Sequence, residues 1–203
     1  MIITIMRLPF EERGVQLVMD MDMRVLVYDN HHNATSLRGT WSTTSDGHVL
    51  AGPTFANPVD STFSIPEKYK KISSWSYSFT DDGFWEQCIY LPQSIRAGWC
   101  AGSGAALMYQ HGTYQLDSDG SMTLTPFEQD GRYELRDPCG AMNKTLPYAH
   151  TGHIESWSIA VDPVVGPVLR LVRPHVPVQI LTQAYDPPNM LPTRPLTQVI
   201  VQS

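Results

Sequence analysis

The chain has 203 residues, and its 14 basic and 20 acidic side chains give a formal net charge of −6. A nucleic-acid-binding domain needs a basic patch that neutralises phosphates, and the densest basic run here is only Lys68, Lys70 and Lys71. The length fits one domain, and a hydrophobic fraction of 42% is sufficient for a core. The composition therefore predicts a globular domain that does not bind nucleic acid.

Residues 1–37 are predicted to form a loosely ordered N-terminal extension. Its apolar runs are short and are interrupted by four acidic residues, Glu11, Glu12, Asp20 and Asp22. This pattern is typical neither of a signal peptide nor of a membrane span. The pair His31-His32 has no further ligands at a metal-binding spacing, so a solvated linker is the preferred interpretation of this segment.

Residues 38–185 are predicted to form a β-barrel domain, because short strand-like runs alternate with turns over this whole stretch. The first run, GTWSTTS, ends at Asp46-Gly47, a hairpin-type dipeptide, and residues 48–51 are predicted to form the returning strand. In the clearest strand, Trp75, Tyr77 and Phe79 alternate with serines, which indicates one aromatic and one hydroxyl face.

Further hairpins follow along the chain. The turn Asp81-Asp82-Gly83 leads into residues 84–91, and residues 106–116 are predicted to pair with residues 121–127. The later strand-like runs are 132–136, 153–161, 167–172 and 176–185. Since 16 prolines and 14 glycines interrupt every longer stretch, helices are not expected.

The predicted fold class is therefore all-β, an antiparallel barrel or sandwich of about eight to ten strands. Gly39 and Trp41 match the short Gly-x-Trp pattern that opens lipocalin-type barrels, so a lipocalin-like barrel is favoured. Residues 186–203 form a Pro-rich C-terminal tail that is expected to be extended, either laid across the domain or acting as a linker.

Candidate catalytic residues are few. Asp81, Asp82 and Glu86 place three carboxylates around one hairpin, but a turn explains the two aspartates without any chemistry. His111 has no accompanying nucleophile motif, so a core or rim histidine is the preferred interpretation. The three cysteines, Cys88, Cys100 and Cys139, show no metal-binding spacing, and neither a metal nor another cofactor is predicted.

Several blocks of the chain, taken together and in order, resemble a known family. They are GTWSTTSDGHVLAGPTFANPVD (39–60), SYSFTDDGFWEQ (76–87), YQHGTY (109–114), DGSMTLTPFEQDGR (119–132), DPC (137–139), VDP (161–163) and AYDPPNMLPT (184–193). They are similar to the fungal endoplasmic-reticulum folding proteins of the "reversal of TOR lethality" family, over about residues 38–197.

The resemblance implies a chaperone or assembly factor of the endoplasmic-reticulum lumen that supports folding of secretory and cell-wall proteins. It further implies a requirement in β-1,6-glucan and glycosylation pathways, and partners among unfolded secretory proteins and other cell-wall factors. It assigns no catalytic residues, so a non-enzymatic protein is expected. Family members usually carry a cleaved signal peptide and a C-terminal membrane anchor, and neither is recognisable in this sequence.

The resemblance also implies a disulfide between Cys100 and Cys139, because these two cysteines match the family's pair. Cys88 is then expected to be a buried thiol. Two Asn-x-Thr sequons begin at Asn33 and Asn143 and are the expected glycosylation sites in this compartment.

Two other functions remain open. An apolar barrel interior would suit a lipid- or glycan-binding carrier, and paired carboxylates in a cleft would suit a glycan-processing enzyme. For the chaperone function, aromatic side chains such as Trp75, Tyr77, Phe84 and Trp85 could form a client-binding patch. A core position is the preferred interpretation of each one, so no client site is assigned.

Overall fold

The structure is a computed structural model that describes residues 15–19, 25–29, 36–44, 49–97, 100–137, 139 and 143–197. These residues form fifteen strands and two short 3-10 turns, Gly52–Thr54 and Glu67–Tyr69. The strands are β1 Val15–Met19, β2 Val25–Asp29, β3 Gly39–Ser42, β4 Ala56–Asn57, β5 Thr62–Phe63, β6 Ser74–Phe79, β7 Phe84–Ala97, β8 Cys100–Leu116, β9 Met122–Pro126, β10 Arg132–Arg136, β11 Asn143–Pro147, β12 Gly152–Ile154, β13 Ser156–Asp162, β14 Gly166–Arg173 and β15 Val176–Tyr185.

Thirteen strands form one antiparallel sheet, and β4 and β5 form a separate hairpin. The main path is β1-β2-β13-β14-β15-β3-β6-β7-β8-β10-β11. The all-β antiparallel prediction is confirmed. The path does not join its ends among the described strands, so the sandwich alternative fits and the lipocalin-like barrel is not confirmed.

The long strand β8 divides the sheet into two parts. Its residues 112–116 pair with β9, whereas its residues 105–109 pair with β10. Strand β9 also pairs with β12, and Glu155 alone separates β12 from β13, so the chain crosses there from the β9 side to the β14 side. This crossover curls the sheet around a common interior.

The interior is filled by large apolar side chains. They come from the residues just before β3 and from β3, β6, β7, β9 and β12 to β15. They are Leu37, Trp41, Tyr77, Phe79, Trp85, Met122, Leu124, Ile154, Trp157, Ile159, Leu169, Leu171 and Leu181. Burial of each such side chain stabilises the fold by about 1.5–3 kcal/mol. The aromatic alternation predicted for residues 74–79 accounts for two of them, Tyr77 and Phe79.

A second apolar cluster covers the opposite face of β7 and β8. The segment before β6 supplies Leu50, Phe55 and Tyr69, and the C-terminal segment supplies Leu191. The predicted return strand at 48–51 is wrong in its described part, because residues 49–51 have no strand pairing. Leu50 instead belongs to the same apolar cluster as Phe55, and β3 pairs with β6 and β15.

Candidate functional site

One face of the sheet carries apolar side chains beyond the end of the core. In register across β6, β7, β8, β10 and β11, the residues Trp75, Ile89, Met108, Tyr133 and Leu146 lie opposite one another as a single cross-strand row. A second row contains Leu91, Ala106 and Leu135. We call these eight residues the open face. Directly opposed side chains lie about 5 Å apart, so the rows form a continuous surface.

The open face becomes more exposed toward the edge of the sheet. Ile89 and Ala106 are buried, and Trp75, Leu91, Met108 and Tyr133 are half-buried. Leu135 and Leu146 are 38% and 41% exposed. Contiguous exposed apolar surface of this kind marks binding sites more often than isolated exposed side chains do.

A buried row of hydrogen bonds separates the open face from the core. The Tyr77 hydroxyl donates to Gln179 Oε1 over 3.3 Å and accepts a 2.6 Å bond from Gln87 Nε2. Gln110 Nε2 donates to Gln87 Oε1, and the His150 N–H donates to Gln110 Oε1. Because the side-chain amides of Gln87 and Gln110 both have hydrogen-bond partners, the row holds β7 and β8 in a fixed register below the open face.

A cation lies at the β6 end of the open face. The Arg173 guanidinium carbon is 5.1 Å from the centroid of the Trp75 ring, a cation–π geometry. Arg173 Nε is buried and has no hydrogen-bond partner among the described residues. The face therefore combines an apolar surface with a guanidinium cation at one end.

Of the four aromatic residues that could form a binding patch, only Trp75 lies on the open face. Tyr77 and Trp85 are fully buried in the core, which is the position preferred for such residues from the sequence. Phe84 is half-buried beside the β6–β7 turn, on the other face of β7. The side chains of β10 and β11 complete the surface, and the sequence had not indicated them.

The C-terminal segment packs on the opposite face of β6, β7 and β8. We call residues 189–197 the strap. Asn189 is held at β3 and β6: its N–H donates to Thr40 Oγ1, and its carbonyl accepts from Ser78 Oγ. Of the two possibilities left open for the tail, the described part of it is laid across the sheet.

Glu86 anchors the middle of the strap. Its side chain is 1% exposed, and its two oxygens each accept a 2.7 Å bond, from the Gly52 N–H and from the Leu191 N–H. Burial raises its pKa from the ordinary 4.5 to about 7, because the two amide bonds only partly offset the loss of hydration. Glu86 therefore joins the segment before β6 and the strap to β7.

Asp130 anchors the end of the strap. This fully buried carboxylate accepts bonds from the Leu196 and Thr197 amides, from the Thr197 hydroxyl and from His111 Nε2. Burial alone raises the pKa of Asp130, but these bonds outweigh it and hold the pKa below its ordinary value. Burial lowers the pKa of His111, and the bond to Asp130 opposes this. The expectation of a core histidine agrees with this position.

Replacing Glu86 with glutamine is expected to flatten the pH dependence of stability between pH 5 and pH 8. The native pKa of Glu86 is raised, so its contribution to stability is present at acidic pH and is lost as pH rises from 4.5 through about 7. That loss amounts to about 3 kcal/mol. Urea unfolding at the two pH values measures it.

The matched control for that experiment is Glu128→Gln, which alters an exposed carboxylate. This control is expected to keep the wild-type pH dependence, whereas Glu86→Gln gains stability relative to wild type as pH rises. Parallel curves for Glu86→Gln and wild type would contradict the assignment of a raised pKa to Glu86.

The other predicted site residues fall into two groups. Asp81 accepts a bond from Ser36 Oγ at the β6–β7 turn and lies 3.9 Å from Arg38, so it serves the turn and its surroundings. His31, His32, Asn33 and the side chain of Asn143 lie outside the described residues. Among the described residues, no group of three acidic, histidine or cysteine side chains is arranged to hold a metal ion.

The cysteines are placed as follows. Cys88 is a buried free thiol whose pKa is raised by burial and then by the neighbouring Glu86. Cys139 is half-buried and takes part in a disulfide. The side chain of Cys100 lies outside the described residues, so the Cys100–Cys139 pairing stays a prediction.

Comparisons with known proteins identify the family of this chain. A family model described as "Rot1: Chaperone for protein-folding within the ER, fungal" matches residues 37–203. The chain belongs to the Rot1 family. No solved structure matches it.

Three Rot1 relatives show the extent of the similarity. Protein rot1 of Aspergillus niger is 38% identical over 168 residues, which cover 81% of this chain and 68% of the relative. Protein ROT1 of Saccharomyces cerevisiae is 37% identical over 80% of this chain, which spans 63% of that relative. Protein rot1 of Schizosaccharomyces pombe is 38% identical over 171 residues, or 83% of this chain and 71% of the relative.

The Rot1 family is thus described as a chaperone family acting within the endoplasmic reticulum, which confirms the family predicted from the sequence blocks. The described part of this Rot1 chain contains no helix with the length and hydropathy needed to span a membrane. The family description concerns folding, so the clients are other proteins.

Proposed function

We propose that this domain holds unfolded secretory polypeptides on the open face and so prevents their aggregation, without itself catalysing a reaction. The observation that supports this is the register of five apolar side chains in one row across five strands. An extended client segment laid on the open face buries its own apolar side chains against Tyr133 and Leu146 of this row and against the neighbouring Leu135. Each apolar side chain so covered contributes about 1.5–3 kcal/mol before the cost of ordering the client.

The guanidinium of Arg173 places a positive charge over the Trp75 ring, at one end of the same surface. A surface with few charged groups and one such cation binds many sequences weakly, which suits a chaperone that must release its clients.

The test is suppression of aggregation of an unfolded glycoprotein by the purified full chain, with no nucleotide added. We expect suppression at near-stoichiometric ratios, because one open face per chain is available. A folded chain that leaves aggregation unchanged at several-fold excess contradicts the proposal.

The wider role that we propose for the protein is support of cell-wall β-1,6-glucan and glycosylation pathways through the folding of their enzymes. In this proposal the full-length family protein works in the endoplasmic-reticulum lumen, held there by a C-terminal membrane anchor. The support is the description of the family as a chaperone for protein folding within the endoplasmic reticulum.

The two rival functions are less well supported. A lipid or glycan carrier needs an enclosed cavity, whereas thirteen large side chains fill the described interior. A glycan-processing enzyme needs two carboxylates facing a cleft, whereas Asp81 lies at an exposed turn and Glu86 is buried beneath the strap.

We also propose the disulfide Cys100–Cys139, with glycans on Asn33 and Asn143. The register places Arg136 of β10 opposite Ala105 of β8, so the chain leaving β10 runs toward the start of β8. Cys139→Ser is expected to lower the free energy of unfolding by about 4 kcal/mol in the chain-entropy account. Intact mass before and after reduction, with Cys88→Ser as control, tests the pairing: loss of the disulfide in Cys88→Ser would contradict it.

A further inference from the structure

The strap is bound almost entirely through its main chain. Four N–H groups donate to buried groups, those of Asn189, Leu191, Leu196 and Thr197, and the Asn189 carbonyl accepts from the buried Ser78 hydroxyl. The one strap side chain that adds to these bonds is Thr197. None of these N–H groups belongs to a strand ladder. A site that binds a peptide through its main-chain N–H groups accepts any residue other than proline at the donating positions.

Only two strap side chains enter the apolar surface beneath. Leu191 is buried with Leu50, Phe55 and Tyr109, and Leu196 packs against the same cluster. Between them, Pro192, Thr193 and Arg194 are exposed. We call the surface formed by Leu50, Phe55, Glu86, Tyr109 and Asp130 the strap groove.

These contacts define what the strap groove recognises. The groove contains two buried carboxylates: Glu86 accepts one strap amide and Asp130 accepts two. Its apolar cluster contacts the side chains of two strap leucines, Leu191 and Leu196. Carboxylate acceptors for main-chain N–H groups form stronger bonds than neutral ones. An extended segment with two spaced apolar side chains meets every one of these requirements.

We infer that the strap groove is a second client site, occupied in this structure by the strap, which an extended leucine-containing segment of an unfolded protein replaces. This inference rests on the proposed function. The strap is tethered, so its effective concentration is in the mM range and a free peptide competes poorly. A client already held on the open face has a similar advantage, because both surfaces belong to the same strands, β7 and β8.

The consequence is a chaperone whose own C-terminal segment limits client binding. The strap keeps the apolar cluster and the buried carboxylates covered when no client is present. A held client that displaces it gains contacts on both sides of the β7–β8 hairpin, and return of the strap then favours release of the client.

The first test uses the full chain with a specific protease site inserted between Tyr185 and Asp186, both exposed. After cleavage, a fluorescent synthetic peptide of residues 186–197 is added and its anisotropy is measured. We expect binding to the cut chain and not to the uncut chain. Methylation of the Leu191 amide nitrogen is expected to weaken binding at least about tenfold, because it removes a bond to a buried carboxylate.

Matched peptides and a client complete the design. Alanine at Thr193 and Arg194 is expected to leave affinity within about twofold, since these side chains are exposed. Reduced and carboxymethylated α-lactalbumin, a permanently unfolded protein, is expected to displace the labelled peptide. Equal binding of the methylated peptide, or no displacement by saturating α-lactalbumin, overturns the inference.

The result of the strap-peptide test can be distinguished from the result of the test for client binding on the open face. The variant Leu135→Asp/Leu146→Asp alters only the open face, and we expect it to bind the strap peptide as wild type does. If cleavage unfolds the chain, the inference is tested instead by hydrogen exchange of the strap amides in the uncut chain. Exchange of the Leu191 and Leu196 amides well above the rate of global unfolding supports a displaceable strap, and exchange only with global unfolding overturns it.

Discussion

Replacing Asp130 with alanine is expected to lower the free energy of unfolding by about 4 kcal/mol, because the change leaves several buried donors without an acceptor. Those donors are His111 Nε2, the Leu196 and Thr197 amides and the Thr197 hydroxyl. The native pKa of Asp130 lies below its ordinary value, so this stabilisation is present at neutral pH and is lost as pH falls through the acidic range. Urea unfolding followed by tryptophan fluorescence measures the change.

The control for the Asp130 experiment is Asp60→Ala. Asp60 also accepts bonds from three groups, Asn57 Nδ2 and the Thr62 amide and hydroxyl, but it lies on the surface. We expect this control to cost about 1 kcal/mol or less, since water replaces the lost acceptor. Equal destabilisation by the two variants would show that Asp130 does not anchor the strap.

Placing aspartates at Leu135 and Leu146 is expected to reduce suppression of client aggregation at least about tenfold, because two desolvated charges then oppose apolar contacts. Both side chains are already more than a third exposed, so the variant is expected to keep its fold. The measurement is the chaperone concentration that halves light scattering of an aggregating glycoprotein. Circular dichroism confirms that each variant is folded.

The matched control for the open face is Val164→Asp/Ile180→Asp. Val164 and Ile180 are 88% and 60% exposed, and they lie in the β13–β14 turn and on β15, away from the open face. This control changes the net charge by the same amount as the open-face variant. A difference in activity between the two variants therefore reflects the position of the aspartates and not the added charge. Wild-type activity is expected, and a loss equal to that of the open-face variant would assign client binding to general surface hydrophobicity instead.

Much of the strand pattern follows from local sequence. The run 132–136 is β10, and the run 176–185 is β15, because turn dipeptides and prolines mark their ends. The aromatic alternation at Trp75, Tyr77 and Phe79 predicts a strand with one face toward the core, as β6 has. Strand β11 has a weaker local signal and was not predicted, and the full length of β7 and β8 was not predicted either.

The candidate site depends on pairings between distant segments, which local patterns do not specify. Leu146 joins the open face only because β11 pairs with β10 and β10 with the early part of β8. The sequence places Glu86 only in a cluster of carboxylates around one hairpin. Its role follows from a bond to Leu191, 105 residues later in the chain, which no spacing rule indicates.

The chain also shows why aromatic content alone does not locate a binding patch. Trp85 and Tyr77 lie in the part of β6 and β7 that faces the interior, whereas Trp75, two residues from Tyr77, lies beyond the buried glutamine row. The same face of one strand thus passes from core to open surface within a few residues. Only the position of Gln87, Gln110 and Gln179 across the sheet marks that boundary.

The most direct test of client binding on the open face is site-specific photocross-linking. The photoreactive residue benzoylphenylalanine replaces Leu146 in one protein and Ile180 in another, and each is irradiated with reduced and carboxymethylated α-lactalbumin. Cross-links formed mainly from position 146 are the predicted result, because that side chain ends the apolar row across β6 to β11. Equal cross-linking from both positions, or cross-linking mainly from position 180, would contradict the assignment of the open face as the client-binding surface.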